Sequence, residues 1–182
     1  MAGDPQILWR RLDTPGHDAC RIRRDGDLPG LEGVAVWRDP AGPAHLTYLI
    51  ACNPDWITRS VRVQGRVGAR ELNLSIHRQD SGEWRINGES LPDLHGLQDI
   101  DLGFTPATNT LPIRRLRAAR QDQAQIAAVW LDTADWTLKA LPQTYQRSDA
   151  GWHYTAPGFA TDLTVDADGF VTDYPKMWIK ED

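Results

Sequence analysis

Alternation of apolar and polar residues with a period of two runs through most of this chain, and it predicts strands. Residues 33–38 and 45–52 each read as one strand. In 59–67, Val61, Val63 and Val67 fall on one face while Arg62 and Arg66 take the other. Leu72, Leu74 and Ile76 alternate with Asn73, Ser75 and His77, the pattern of a strand with one buried face. Ser81-Gly82 turns the chain into 83–86, and Asn87-Gly88 turns it again. Asn-Gly is a strong hairpin signal because both residues tolerate positive φ. Further on, 137–141 and 143–147 read as strand pieces interrupted at Pro142, followed by 152–155, 160–165, 170–173 and 177–180. Asp166-Ala167-Asp168-Gly169 reads as a tight turn, since it lacks the later oxygen ligands of a calcium loop. Residues 124–131 suit either element: the alanines favour a helix, whereas Ile126, Val129 and Trp130 favour a strand.

The middle of the chain breaks the pattern. Asp99-Ile100-Asp101-Leu102-Gly103-Phe104 alternates, with both carboxylates on one face. A segment opening on Thr108, Asn109 or Thr110 as N-cap, with Pro112 in its first turn, predicts one short helix over 110–117. Its apolar residues are Leu111, Ile113 and Leu116. Turn signals roughly every 8–12 residues, without repeat or linker, predict one mainly β domain over 1–182: a sandwich, barrel or roll. Residues 1–32 read as a loosely structured or strand-bearing N-terminal segment.

Composition changes the picture little. A chain of 182 residues can bury a core without disulfide or metal. Its 25 acidic against 20 basic residues argue against duplex nucleic acid as a partner. Met1-Ala2-Gly3-Asp4-Pro5-Gln6 carries no basic stretch leading into an apolar run, and no apolar run approaches the roughly 20 residues of a membrane span. The expectation is a cytoplasmic protein with neither secretion signal nor membrane span. Cys20 and Cys52 read as free thiols, Cys52 as a small core residue. The eight tryptophans read first as core.

Catalytic signals are sparse. His17, His45, His77, His95 and His153 show no metal-ligand spacing, and no nucleophile elbow or phosphate loop occurs, so no metal or cofactor is expected. Asp99 and Asp101 are the best catalytic suspects, because a glycosidase needs a carboxylic acid and a carboxylate. Arg114, Arg115 and Arg117 follow closely, however, and a carboxylate locked to arginine is a poor general acid. The ion-pair reading is preferred. The basic run from Ile113 to Arg120 has the means to hold an anionic headgroup, though a solvated or paired face is the more ordinary reading.

The string from Asp99 through Asn109-Thr110-Leu111-Pro112-Ile113-Arg114-Arg115 to Leu116 resembles the signature of a bacterial family described as Putative glycolipid-binding. Leu46-Thr47-Tyr48, Trp56-Ile57-Thr58-Arg59, the stretch 143–147, and 166–174 with Pro175 and Trp178 fit as well. The resemblance implies a spiral β-roll, a long many-stranded antiparallel sheet wrapped around a single short helix. It also implies a non-enzymatic binding protein for an amphiphile such as a glycolipid, held in or against the concave side of the roll. Asp101, Asn109, Thr110, Arg114, Arg115, Trp130 and Tyr145 are then the expected ligand-binding residues. The rival readings are a carbohydrate- or ester-active enzyme using Asp99 or Asp101, and an interaction scaffold dimerising through a sheet edge.

Overall fold

The computed structural model describes residues 3–24 and 28–182. Met1 and Ala2, which open the stretch read for an export signal, and 25–27, inside the N-terminal segment 1–32, lie outside the described residues. Strands β1 (Gln6–Arg11), β2 (Gly16–Arg23), β3 (Gly30–Asp39), β4 (Gly42–Cys52), β5 (Thr58–Val67), β6 (Arg70–Arg78), β7 (Trp84–Ile86) and β8 (Glu89–Leu91) form an antiparallel meander. After a 3₁₀ turn at Pro92–Leu94 comes β9 (Asp99–Leu102), then a second such turn, Ala107–Asn109, leading into helix α1 (Thr110–Ala118). Strands β10 (Gln123–Asp132), β11 (Thr137–Ser148), β12 (Gly151–Ala156), β13 (Phe159–Val165), β14 (Val171–Tyr174) and β15 (Trp178–Lys180) complete the order. β15 pairs with β1, so the two meanders join into one open 15-stranded sheet with β8 at one edge and β9 at the other. Among the described residues no helix is long and apolar enough to cross a membrane.

Chain length forces this sheet to curl. A flat sheet would separate β8 from β9 by fourteen strand spacings, about 67 Å at ~4.8 Å each. Yet only residues 92–98 connect them, a reach of at most about 28 Å. The sheet therefore wraps until β9 docks beside the start of β5, where the Thr58 amide donates to the Gln98 carbonyl (3.0 Å) and the Ile100 amide to Thr58 Oγ1 (3.2 Å). β9 is consequently covered on both faces. Ile100 and Leu102 join the larger core with Trp9, Leu31, Leu46, Ile50, Val63 and Ile76. Asp99, on the opposite face, is 2% exposed.

The helix sits inside the wrap and links two apolar clusters. Leu111 is buried in the larger one, while Ile113 and Leu116 pack with Tyr145, Trp152, Tyr154, Leu163 and Val171 in the smaller. The stripe of apolar positions read in 110–117 is the one buried. Six of the eight tryptophans are buried, so their abundance is mostly a matter of filling this core; Trp56 and Trp130 are the partly exposed pair.

Several expectations need correction. The sheet is mixed rather than antiparallel: β9 and β10 run parallel, because α1 lies between them as a crossover that returns the chain to the same end. The ambiguous stretch 124–131 is strand, flanked by β9 and β11 on its two sides, where ladder pairing outweighs the helix preference of its alanines. Pro142 does not interrupt β11. β12 pairs with β11 only over 144–148, so at 142 the strand has β10 alone as neighbour, and the missing N–H is tolerated as at a sheet edge. Asn109 occupies the position before α1 in a helical conformation and makes no capping bond, since the preceding 3₁₀ turn runs straight into the helix. The Asn87-Gly88 hairpin forms as read, with φ of 49° and 89°.

Gly33 carries a specific constraint. A Cβ there would lie 2.2 Å from the Tyr48 hydroxyl and 2.3 Å from its Cζ, across the β3–β4 ladder. The ring covers the glycine, and the hydroxyl thereby reaches the buried Asp18 carboxylate at 3.1 and 3.2 Å. Gly33→Ala is expected to displace that ring and cost about 1–3 kcal/mol, the usual range for overpacking, measured by urea unfolding.

Candidate functional site

Four elements converge on Asp101. In β9 it stands on the same face as Asp99, and its ladder neighbour in β10 is Trp130. Gln143 of β11 donates from Nε2 to Asp101 Oδ2 at 2.6 Å. Tyr145, two residues on and facing the same way, donates its hydroxyl to Asn109 Oδ1 (2.8 Å), and Asn109 Nδ2 donates to the Pro106 carbonyl (3.2 Å). Thr108, also in that 3₁₀ turn, accepts from the Leu102 amide at 3.3 Å, and its hydroxyl helps to offset the burial of Asp101.

An aromatic series runs outward from this point. Tyr145 meets Tyr154 of β12 (centroids 5.1 Å apart), and Tyr154 meets Tyr174 of β14 (6.3 Å) and Phe159 of β13 (6.2 Å). Phe159 and Tyr174 close the group at 6.0 Å. Exposure rises along it, from 1% at Tyr145 through 4% at Tyr154 to 39% at Phe159. Beside it, a cleft of about 410 Å³ opens where β11 and β12 part, bounded by Ile126, Pro142, Gln143, Ala156 and Pro157. Its size lies within the range of small-ligand sites.

The two aspartates read as a pair have separate fates. Asp99 is held by Arg115 through two parallel 2.6 Å bonds, Nη1 to Oδ1 and Nη2 to Oδ2. Asp101 has no arginine partner among the described residues. Burial pushes its carboxyl up to about 6, with the Gln143 and Thr108 hydrogen bonds pulling it down and the Asp99 charge adding to the rise. Burial, followed by neighbouring charge including that of Asp101, also holds the Tyr145, Tyr154 and Tyr174 hydroxyls above their ordinary range, so all three remain O–H donors.

The other expected ligand residues scatter. Arg114 stacks on Trp56, its guanidinium 4.4 Å from the ring centroid, and donates to the Asp168 carbonyl. Arg117 donates to the Asp166 carbonyl at 2.6 Å. The expected helix-to-aspartate network is thus correct for Arg115 alone. Arg114 and Arg117 instead bind main-chain oxygens of the 166–169 turn, which the wrap brings beneath the helix. Thr110 is fully buried, and its hydroxyl has no hydrogen-bond partner among the described residues. Trp130 carries Lys139 against its ring at 5.9 Å. The structure therefore gathers Asp101, Asn109 and Tyr145 about one recess, with Trp130 the ladder neighbour of Asp101, and leaves Thr110, Arg114 and Arg115 as framework.

Sequence reading did not name Gln143, Tyr154, Phe159 and Tyr174 as candidate site residues. It also passed over Asp18, which is fully buried and accepts from Tyr48 and Thr105. A larger groove, about 1080 Å³, crosses the outer face of β1–β5 along the ladder row Leu8, Ala19, Val34 and Thr47. Its polar rim is engaged in ion pairs such as Arg21–Glu32 at 2.8 Å.

A long open sheet curled round one buried helix, with a polar recess where the inner edge strand meets the C-terminal meander, defines a spiral β-roll. The family model described as Putative glycolipid-binding matches residues 6–180, and the chain belongs to that family. A crystal structure of a DUF1089 family protein from Pseudomonas aeruginosa is similar, with 26% identity and a TM-score of 0.69, covering 98% of this chain and 92% of that one. No curated protein matches the chain in sequence.

Proposed function

We propose that this protein binds an amphiphile, a glycolipid in the leading case, with the polar head in the Asp101 recess against Tyr154 and Tyr174 and the apolar part running out past Phe159. The observation that carries the reading is the Asp101–Gln143 pair at the inner end of an aromatic series that reaches the surface. Hydroxylated heads are recognised by side chains that accept and donate together, and by ring faces against the sugar's C–H surfaces. Asp101, Gln143 and the Tyr154 and Tyr174 hydroxyls supply the first, the Tyr154 and Tyr174 rings the second. The family description agrees with such a ligand.

Binding fits the site better than hydrolysis. Glycoside hydrolysis by two carboxyl groups needs both free to act, and Asp99 already spends both oxygens on Arg115. Octyl glucoside, titrated below its micelle concentration and followed by intrinsic fluorescence, is expected to bind saturably. Phe159→Ala, at an exposed rim position, is expected to weaken binding about tenfold through lost apolar contact, without changing the melting temperature. No saturable binding, or an unaffected variant, would overturn the reading.

A further inference from the structure

Aromatic faces elsewhere in this protein already carry cations. Arg11 lies over both Trp37 and Trp178, Arg114 over Trp56, Lys139 over Trp130 and Arg147 over Trp152, at 4.4–5.9 Å. Among the described residues the group made by Tyr145, Tyr154, Phe159 and Tyr174 carries none. Its rings meet one another at 51–67°, tilted or edge-on instead of stacked, and make one aromatic wall whose outer members, Tyr174 and Phe159, reach the surface. Next to that wall stands Asp101, with no Lys, Arg or His at ion-pair distance among the described residues. Asp99, two residues away on the same strand, has its bidentate arginine. The charged group that bears on Asp101 is Asp99, another carboxylate.

A desolvated carboxylate flanked by ring faces is a site of concentrated negative potential, because ring faces carry the negative side of the quadrupole. The molecule supplies no counter-charge there, while it does so for Asp99. From this geometry we infer that the head of the bound amphiphile is cationic, a protonated amine or a quaternary ammonium, paired with Asp101 and lying against Tyr154 and Tyr174. This rests on the recess being the headgroup site. A carboxyl titrating near 6 is mostly ionised at neutral pH, which supports the pairing. Two sources share the chemistry, an amino sugar and a choline-type lipid.

Three probes of equal chain length separate the possibilities at pH 7.5: octyl glucoside, octyl 6-amino-6-deoxyglucoside and octyltrimethylammonium. Titration calorimetry is expected to show one or both cationic probes binding at least tenfold tighter than the neutral glycoside. A preference for the amino sugar or for the quaternary ammonium identifies the source. Asp101→Asn, which keeps the shape and relieves a buried charge, is expected to shrink the preference to within about twofold while the protein stays folded by circular dichroism. Tyr174→Leu is expected to weaken quaternary ammonium binding more than binding of the neutral glycoside, narrowing the preference at least threefold through the lost ring face. Equal affinity for neutral and cationic probes, or a preference that survives Asp101→Asn, overturns the cationic head but leaves amphiphile binding standing. Failure of all three probes to bind overturns both.

Discussion

Replacing Arg115 by leucine is expected to lower the unfolding free energy by about 3–5 kcal/mol, the cost of leaving a buried charge without its partner. Asp99 is 2% exposed, and its two short bonds to Arg115 are what make an ionised group tolerable there. For a chain of this size the loss corresponds to roughly 6–20 °C in melting temperature. The double variant Asp99→Leu with Arg115→Leu removes both charges and is expected to recover most of the loss, since an apolar pair of similar volume dispenses with both desolvation costs. The pair joins α1 to the inner edge strand, so its rupture frees the helix from β9. A double-mutant cycle in urea reads the coupling directly. A small effect for Arg115→Leu alone would show that the helix is held by its apolar face.

The second large effect is a dependence of stability on pH set by Asp18. This carboxyl is fully buried between β2, β4 and the segment before α1, and burial raises it from 3.8 to about 7 against the pull of the Thr105 and Tyr48 hydrogen bonds. Folded chains therefore hold this proton where unfolded chains have released it. Between about pH 4 and 7 the folded state binds more protons than the unfolded state, so this contribution to stability is present at low pH and is lost as pH rises. A rise of about three pKa units corresponds to ~4 kcal/mol. Asp18→Asn cannot ionise. It is expected to be more stable than the parent at pH 8 by a few kcal/mol, with the difference closing towards pH 4. Denaturant unfolding of both proteins at pH 4.5 and pH 8 checks the sign and the size.

The strands and the helix were legible because each carries its own period. Val61, Val63, Leu72, Leu74 and Ile76 alternate cleanly, and all five are buried. The Asp99–Arg115 pair was legible for another reason: both residues lie in one short string, and a strand followed by a helix has few ways to pack. The recess was mostly illegible. Gln143, Tyr154, Phe159 and Tyr174 come from four strands, and the curl of the sheet, which no local pattern encodes, decides what they face. Asp18 did leave a signal. It shares parity with Cys20 and Ile22, so alternation alone places a carboxylate on the apolar face of β2. The parallel β9–β10 pair and continuous pairing through Pro142 depend on neighbours distant in sequence, and the residues themselves gave no sign of either.

Mapping amide and side-chain shifts by NMR while octyl glucoside is added tests the placement of the ligand most directly. Changes are predicted to gather on Asp101, Gln143, Tyr154, Phe159 and Tyr174. Changes gathered on Leu8, Ala19, Val34 and Thr47 would move the ligand to the outer groove and contradict the recess.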